Sequence, residues 1–186
     1  MTDDALQDRG KAIEDVFFRD VDQQLMEQMR AEMAADQDRT ELAAATGIED
    51  KEVINRLIDQ GISAETLASV GLIPLIAVAW ADDKMEPNER DAVLRAARES
   101  GIVEGHASYA LVSGWLTHRP GDDFLQAWKD YVTALKQSLD ATSLQQVQKS
   151  VIERAQRVAN AAGGFLGLGS TSAVEQRVID ELNAAF

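Results

Sequence analysis

The chain contains no cysteine. Disulfides, thiolate metal sites and thiol nucleophiles are therefore excluded. It has two histidines, His106 and His118, set 12 residues apart at opposite ends of one predicted helix. At 1.5 Å per residue they stand about 18 Å apart and cannot hold one ion within that helix. Bases are also scarce, with 18 Lys and Arg against 32 Asp and Glu and a net charge of −14. Phosphate contacts need Lys and Arg, so neither nucleic acid nor an anionic membrane surface is an expected partner. Long apolar runs are missing too. The longest, Leu67 to Ala81, covers 15 residues, contains Pro74 and is bounded by Glu65 and Asp82-Asp83. A membrane span needs about 20 residues, so none is expected. Met1 to Ala5 has neither the basic segment nor the apolar core of a secretory signal, and the expected location is cytoplasmic.

What remains is a 186-residue chain, 45 % hydrophobic, which is enough for a real core. Ala, Leu, Glu, Gln and Arg dominate, and no window alternates as a strand would. The expected fold is all-α, a multi-helix bundle of eight or nine helices with a long N-terminal helix. Residues 1–60 read as an N-terminal helical arm with short helices, and residues 61–186 as the bundle.

The first helix is expected over Ala5–Ala35. Ile13, Phe17, Val21, Leu25, Met29 and Met33 recur every four residues, with Leu6 and Val16 alongside. They lay an apolar ribbon on an otherwise acidic rod. A short helix over Thr40–Thr46 should follow, closed by Gly47. The next, Lys51–Gln60, has Asp50 as N-cap and Gly61 as its stop. Ser63 is expected to cap an apolar helix ending near Ala81 and kinked at Pro74. Pro87 opens a helix to Ser100. Further helices are expected over His106–Thr117, Asp123–Leu139 and Ser143–Ala161. A Gly-rich loop, Gly163–Thr171, then leads to a Ser172/Glu175 capping box and a last helix. That loop is not a phosphate loop, because Ser170 stands where Lys is required and no strand precedes it.

The corner after the apolar helix concentrates charge. Asp82, Asp83, Glu86 and Glu89 fall at i, i+1, i+4 and i+7 around one short loop. Carboxylates so gathered repel one another unless water, a cation or a basic partner screens them. Two readings stand side by side. In one, the acids end one helix and cap the next. In the other, they hold a hard divalent cation, calcium or magnesium, through oxygen ligands. An echo of the corner occurs later in the chain, where Val158–Ile179 again joins an Ala-rich helix end to a capped helix with Glu at its third position.

The segment Ala79-Trp80-Ala81-Asp82-Asp83-Lys84-Met85-Glu86-Pro87-Asn88-Glu89-Arg90 resembles the signature of the tellurite-resistance TerB-like family, Ala-x-Ala-Asp-Gly followed by a polar link and an acid-rich helix start. Asp82 matches the family Asp, Met85 the apolar link residue and Glu89 the helix Glu, while Asp83 stands where the family has Gly. The likeness covers residues 63–186. It implies an all-helical, non-enzymatic protein of stress-response systems with a metal ion at the carboxylate cluster. Further upstream, Asp8-Arg9-x-Lys11-Ala12-Ile13-Glu14-x-x-Phe17-x-x-Asp20 is similar to the opening of the zeta-type inhibitor of bacterial ATP synthase, over residues 6–60. That likeness implies an interacting helix.

No nucleophile–base set is apparent, so no catalytic residue is named and an enzyme is not expected. The expected function is a binding or scaffold protein of TerB-like type. Its expected cation site is Asp82, Asp83, Glu86 and Glu89. The alternative is a protein-interaction or dimerisation module acting through the Phe17–Met33 stripe.

Overall fold

The computed structural model describes residues 3–162 and 171–186, with side chains described from residue 25 onward and excepting residue 162. Among the described residues every regular element is helical and no strand is present. The elements are α1 (Asp3–Thr46), α2 (Lys51–Asp59), a 3₁₀ segment (Leu67–Leu72), α3 (Ile73–Ala79), α4 (Pro87–Glu99), α5 (Ala107–Thr117), α6 (Asp123–Ser138), α7 (Ala141–Ala162) and α8 (Ala173–Ala184). The chain divides into two compact units, Met1–Thr40 and Glu41–Phe186.

The described residues of the first unit are all helical. The break expected between Ala35 and Thr40 is not there, and α1 runs on to Thr46. No Gly or Pro interrupts that stretch. Arg39 Nη1 donates to Asp36 Oδ1 at 2.6 Å and Thr40 Oγ1 donates to the Asp36 carbonyl at 2.8 Å, so these side chains brace the helix across the expected break. The helix stops at Gly47, whose φ of +70° suits a residue without a Cβ.

The second unit is built around α3. Ile73, Leu75, Ile76 and Val78 have no exposed surface. A helix apolar on all sides belongs in the centre of a fold, and α6, α7 and α8 all pack on this one. α4 lies against α7, α2 against α6, and α5 against the 3₁₀ segment. Leu42, Leu57, Ile62, Leu116 and Leu182 complete the buried interior. Trp115 meets Phe124 edge-on, with ring centres 5.0 Å apart.

The continuous, kinked helix expected from Ser63 to Ala81 is replaced by three pieces. The Ser63 amide donates to Thr66 Oγ1 at 2.8 Å, and that hydroxyl donates to the Gly61 carbonyl at 3.1 Å. These local bonds form a turn that competes with helix initiation. The 3₁₀ segment follows, and α3 begins at Ile73 with Pro74 in its first turn. A proline there sacrifices no helical hydrogen bond, so no kink results. The expected caps are present elsewhere. Asp50 Oδ1 accepts from the Glu52 amide at 2.9 Å, and Ser172 and Glu175 form the capping box of α8.

Candidate functional site

The acidic corner joins α3 to α4. α3 ends at Ala79, and the Asp83 amide donates to the Trp80 carbonyl at 3.0 Å to close the turn. Trp80 Nε1 donates to the Trp115 carbonyl at 2.9 Å, which ties the corner to the last turn of α5. Asp82 Oδ1 accepts from the Lys84 amide at 3.1 Å. Asp83 has φ +66°, the left-handed conformation that favours glycine, and its Oδ1 lies 2.8 Å from Arg119 Nη1. Met85 folds back onto the core. Glu86 is the N-cap of α4, and Pro87 opens the helix.

Glu89 differs from the other three acids. Asp82, Asp83 and Glu86 are exposed, whereas Glu89 is 3 % exposed. Its Oε2 accepts from the Glu86 amide at 2.9 Å. Burial pushes its carboxyl from an ordinary 4.5 up to about 7; the hydrogen bond from the Glu86 amide opposes this, and the negative charges of Glu175, Glu86 and Asp82 add to it. Asp83 is drawn instead towards Arg119.

The structure therefore brings Asp82 and Glu86 into the electrostatic reach of Glu89 and adds Glu175 from α8. Glu175 did not stand out as a site residue in the sequence, although its place in the echo of the corner was visible. It is 5 % exposed, its Oε2 accepts from the Ser172 amide at 2.5 Å, and its Oε1 is buried with no hydrogen-bond partner among the described residues.

A carboxylate set of this kind suits a hard cation chemically. Among the described residues, however, no three or more His, Asp and Glu side chains stand together in an arrangement that could hold a metal ion. Asp82 is occupied by its turn, Asp83 by its ion pair, and Glu89 by its cap. His106 and His118 lie at the two ends of α5. The Gly-rich segment 163–170 lies outside the described residues, as do the side chains of Asp8–Asp20 and of Leu6, Ile13, Val16, Phe17 and Val21 in the apolar stripe.

The remainder of the stripe is described. Leu25, Met26, Met29 and Met33 are each at least 50 % exposed. Among the described residues no helix is long and apolar enough to cross a membrane. Compared with known proteins, the chain matches no family model, no curated protein and no solved structure.

Proposed function

We propose that this chain is a non-enzymatic protein-binding module whose contact surface is the N-terminal helix. The exposure of Leu25, Met26, Met29 and Met33 along one stretch of α1 carries this reading. Methionine is unbranched and adaptable, and rows of large exposed apolar side chains mark interaction surfaces. The surrounding charge selects the partner. Residues 25–38 hold Glu27, Glu32, Asp36 and Asp38 against a single base, Arg30. Pairing two such helices would bring like charges together. A protein offering an apolar groove with a basic rim is favoured over a second copy.

The test combines sedimentation with titration of a basic amphipathic helical peptide, on the intact chain and on Met29→Asp/Met33→Asp. The expected result is a monomer that binds the peptide and loses binding in the variant. Concentration-dependent self-association, abolished in the same variant, would replace this reading with dimerisation. Peptide binding unchanged by the substitutions would overturn it.

The TerB-like scaffold in a stress-response context remains a proposal for residues 63–186. It is supported by Asp83, which takes a glycine-like conformation at the position where that family has Gly. A divalent cation at Asp82, Asp83, Glu86 and Glu89 is the second reading, favoured by the like charge pressing on Glu89. The ion would have to draw the exposed carboxylates inward. Calcium or magnesium should then raise the melting temperature of the intact chain and not of Asp82→Ala/Glu89→Ala. An equal shift in both, or none in either, removes the site.

A further inference from the structure

Between α4 and α7 lies a groove of about 360 Å³. Arg95 of α4 and Arg154 and Arg157 of α7 line it, together with Asp91, Glu99 and small apolar side chains. Asp91, Arg95 and Glu99 follow one another at the four-residue spacing that allows ion pairs along a helix. Yet among the described residues none of the three arginines is in a salt bridge with a carboxylate.

Arg154 is the fixed part of this wall. Its Nη2 donates to the Ala96 carbonyl at 2.9 Å and to Ser100 Oγ at 2.8 Å. Its Nε is buried and donates to nothing among the described residues. Burial lowers its pKa, and the nearby negative charge of Glu99 offsets part of that effect. A half-buried guanidinium is thus held in place by neutral acceptors with no carboxylate bonded to it, in a chain whose acids outnumber its bases 32 to 18. A partly desolvated charge without a counterion loses hydration that nothing replaces, and an incoming anion would offset that loss. Arg95 and Arg157 are exposed and free to close on such a ligand. The planar guanidinium fork matches carboxylate and phosphate oxygens in pairs.

We propose that the α4–α7 groove binds a small oxyanionic molecule, bearing carboxylate or phosphate, held by Arg95 and Arg157 against the fixed charge of Arg154. The groove falls within the size range of small-molecule sites, roughly 300–1,000 Å³. This site is separate from the acidic corner and from the apolar stripe of α1, and it stands or falls without them.

The experiment is isothermal titration of the full chain at pH 7 and fixed low ionic strength, with citrate and with pyrophosphate as separate probes and chloride as the matched control. The expected result is saturable one-to-one binding of at least one probe, with a Kd below about 1 mM. Tighter binding of citrate identifies a carboxylate ligand, and tighter binding of pyrophosphate a phosphate ligand. Arg95→Gln/Arg157→Gln, whose changed side chains are both exposed, should weaken binding at least tenfold while leaving the circular dichroism spectrum unaltered. Asp91→Asn removes a competing carboxylate from the groove and should tighten binding severalfold. Absence of saturable binding by both probes, or equal affinity in the double variant, overturns the proposal.

Discussion

Glu89 and Glu175 occupy equivalent places in two separate helix starts. Each is the third residue of its helix, each is buried, and each returns its Oε2 to the amide of its own N-cap, Glu86 or Ser172. The capping box normally lies at the surface, where the carboxylate keeps its water. Here two such boxes face into the same bundle, and the negative charge of Glu175 helps to raise the pKa of Glu89. A local helix-start device has in both places put an acid inside the bundle.

The first prediction is a pH-dependent stability. The Glu89 carboxyl titrates at about 7 in the fold against an ordinary 4.5. Between those values the native state retains a proton that the unfolded chain has released, so stability falls as pH rises. The contribution is complete below pH 4.5 and is lost as pH passes through about 7. Glu89→Gln keeps an oxygen for the Glu86 amide and cannot ionise. At pH 8 it should be more stable than the parent by about 1–3 kcal/mol, and its melting temperature should vary less between pH 5 and pH 8. Parallel melting profiles for the two proteins over that range would refute the assignment.

Replacing Glu175 tests its influence on Glu89. Glu175→Ala removes the acceptor of the Ser172 amide and should cost about 1–2 kcal/mol by urea unfolding. Glu175→Gln retains an acceptor and should cost less. It also removes one negative charge acting on Glu89, so the Glu89 carboxyl, followed by carbon NMR, should titrate at lower pH than in the parent. An unchanged Glu89 titration would show that the two acids are independent.

Asp83 offers a backbone test. Its φ of +66° strains any residue with a Cβ, though Asp and Asn tolerate it better than most. Asp83→Ala should destabilise by about 1 kcal/mol, whereas Asp83→Gly relieves the strain and should match or exceed the parent. The ion pair with Arg119 is exposed on both sides and contributes only about 0–1 kcal/mol. Asp83→Asn, which keeps the conformational tolerance and drops the charge, isolates that contribution. Equal stability of the Ala and Gly variants by thermal melting would remove the backbone argument.

The helical fold class, the caps at Asp50 and Ser172 and the stops at Gly47 and Gly61 were legible because each follows from a residue acting on its immediate neighbours. The division of the apolar helix was not. Nothing in Ser63–Ala81 signals that hydroxyl bonds from Ser63 and Thr66 outcompete the first helical turn, or that Pro74 lies in the first turn of a new helix rather than inside an old one. The corner was legible as a concentration of charge, but the unequal fates of its acids depend on packing. Pairing of Asp83 with Arg119 and burial of Glu89 near Glu175 join residues 36 and 86 positions apart. Periodicity along one helix carries no information at that range.

The final prediction concerns Trp80, where the end of α3 meets the end of α5. The Trp115 carbonyl sits in the last turn of α5, where carbonyls run out of helical partners. Trp80 Nε1 supplies the missing donor at 2.9 Å. Trp80→Phe keeps much of the apolar surface and deletes that donor, so it should cost about 1–2 kcal/mol. Trp115→Phe leaves the backbone acceptor in place and alters the edge contact with Phe124, a different interaction. The bond between Trp80 and the Trp115 carbonyl should therefore survive in Trp115→Phe. The Trp80 indole N–H, observed by NMR, should stay protected from exchange in that variant and exchange rapidly only when the turn at Ala81–Asp83 is opened. Rapid exchange of the Trp80 N–H in the parent protein would mean that α3 and α5 are not joined there, and that the corner is held by its own turn alone.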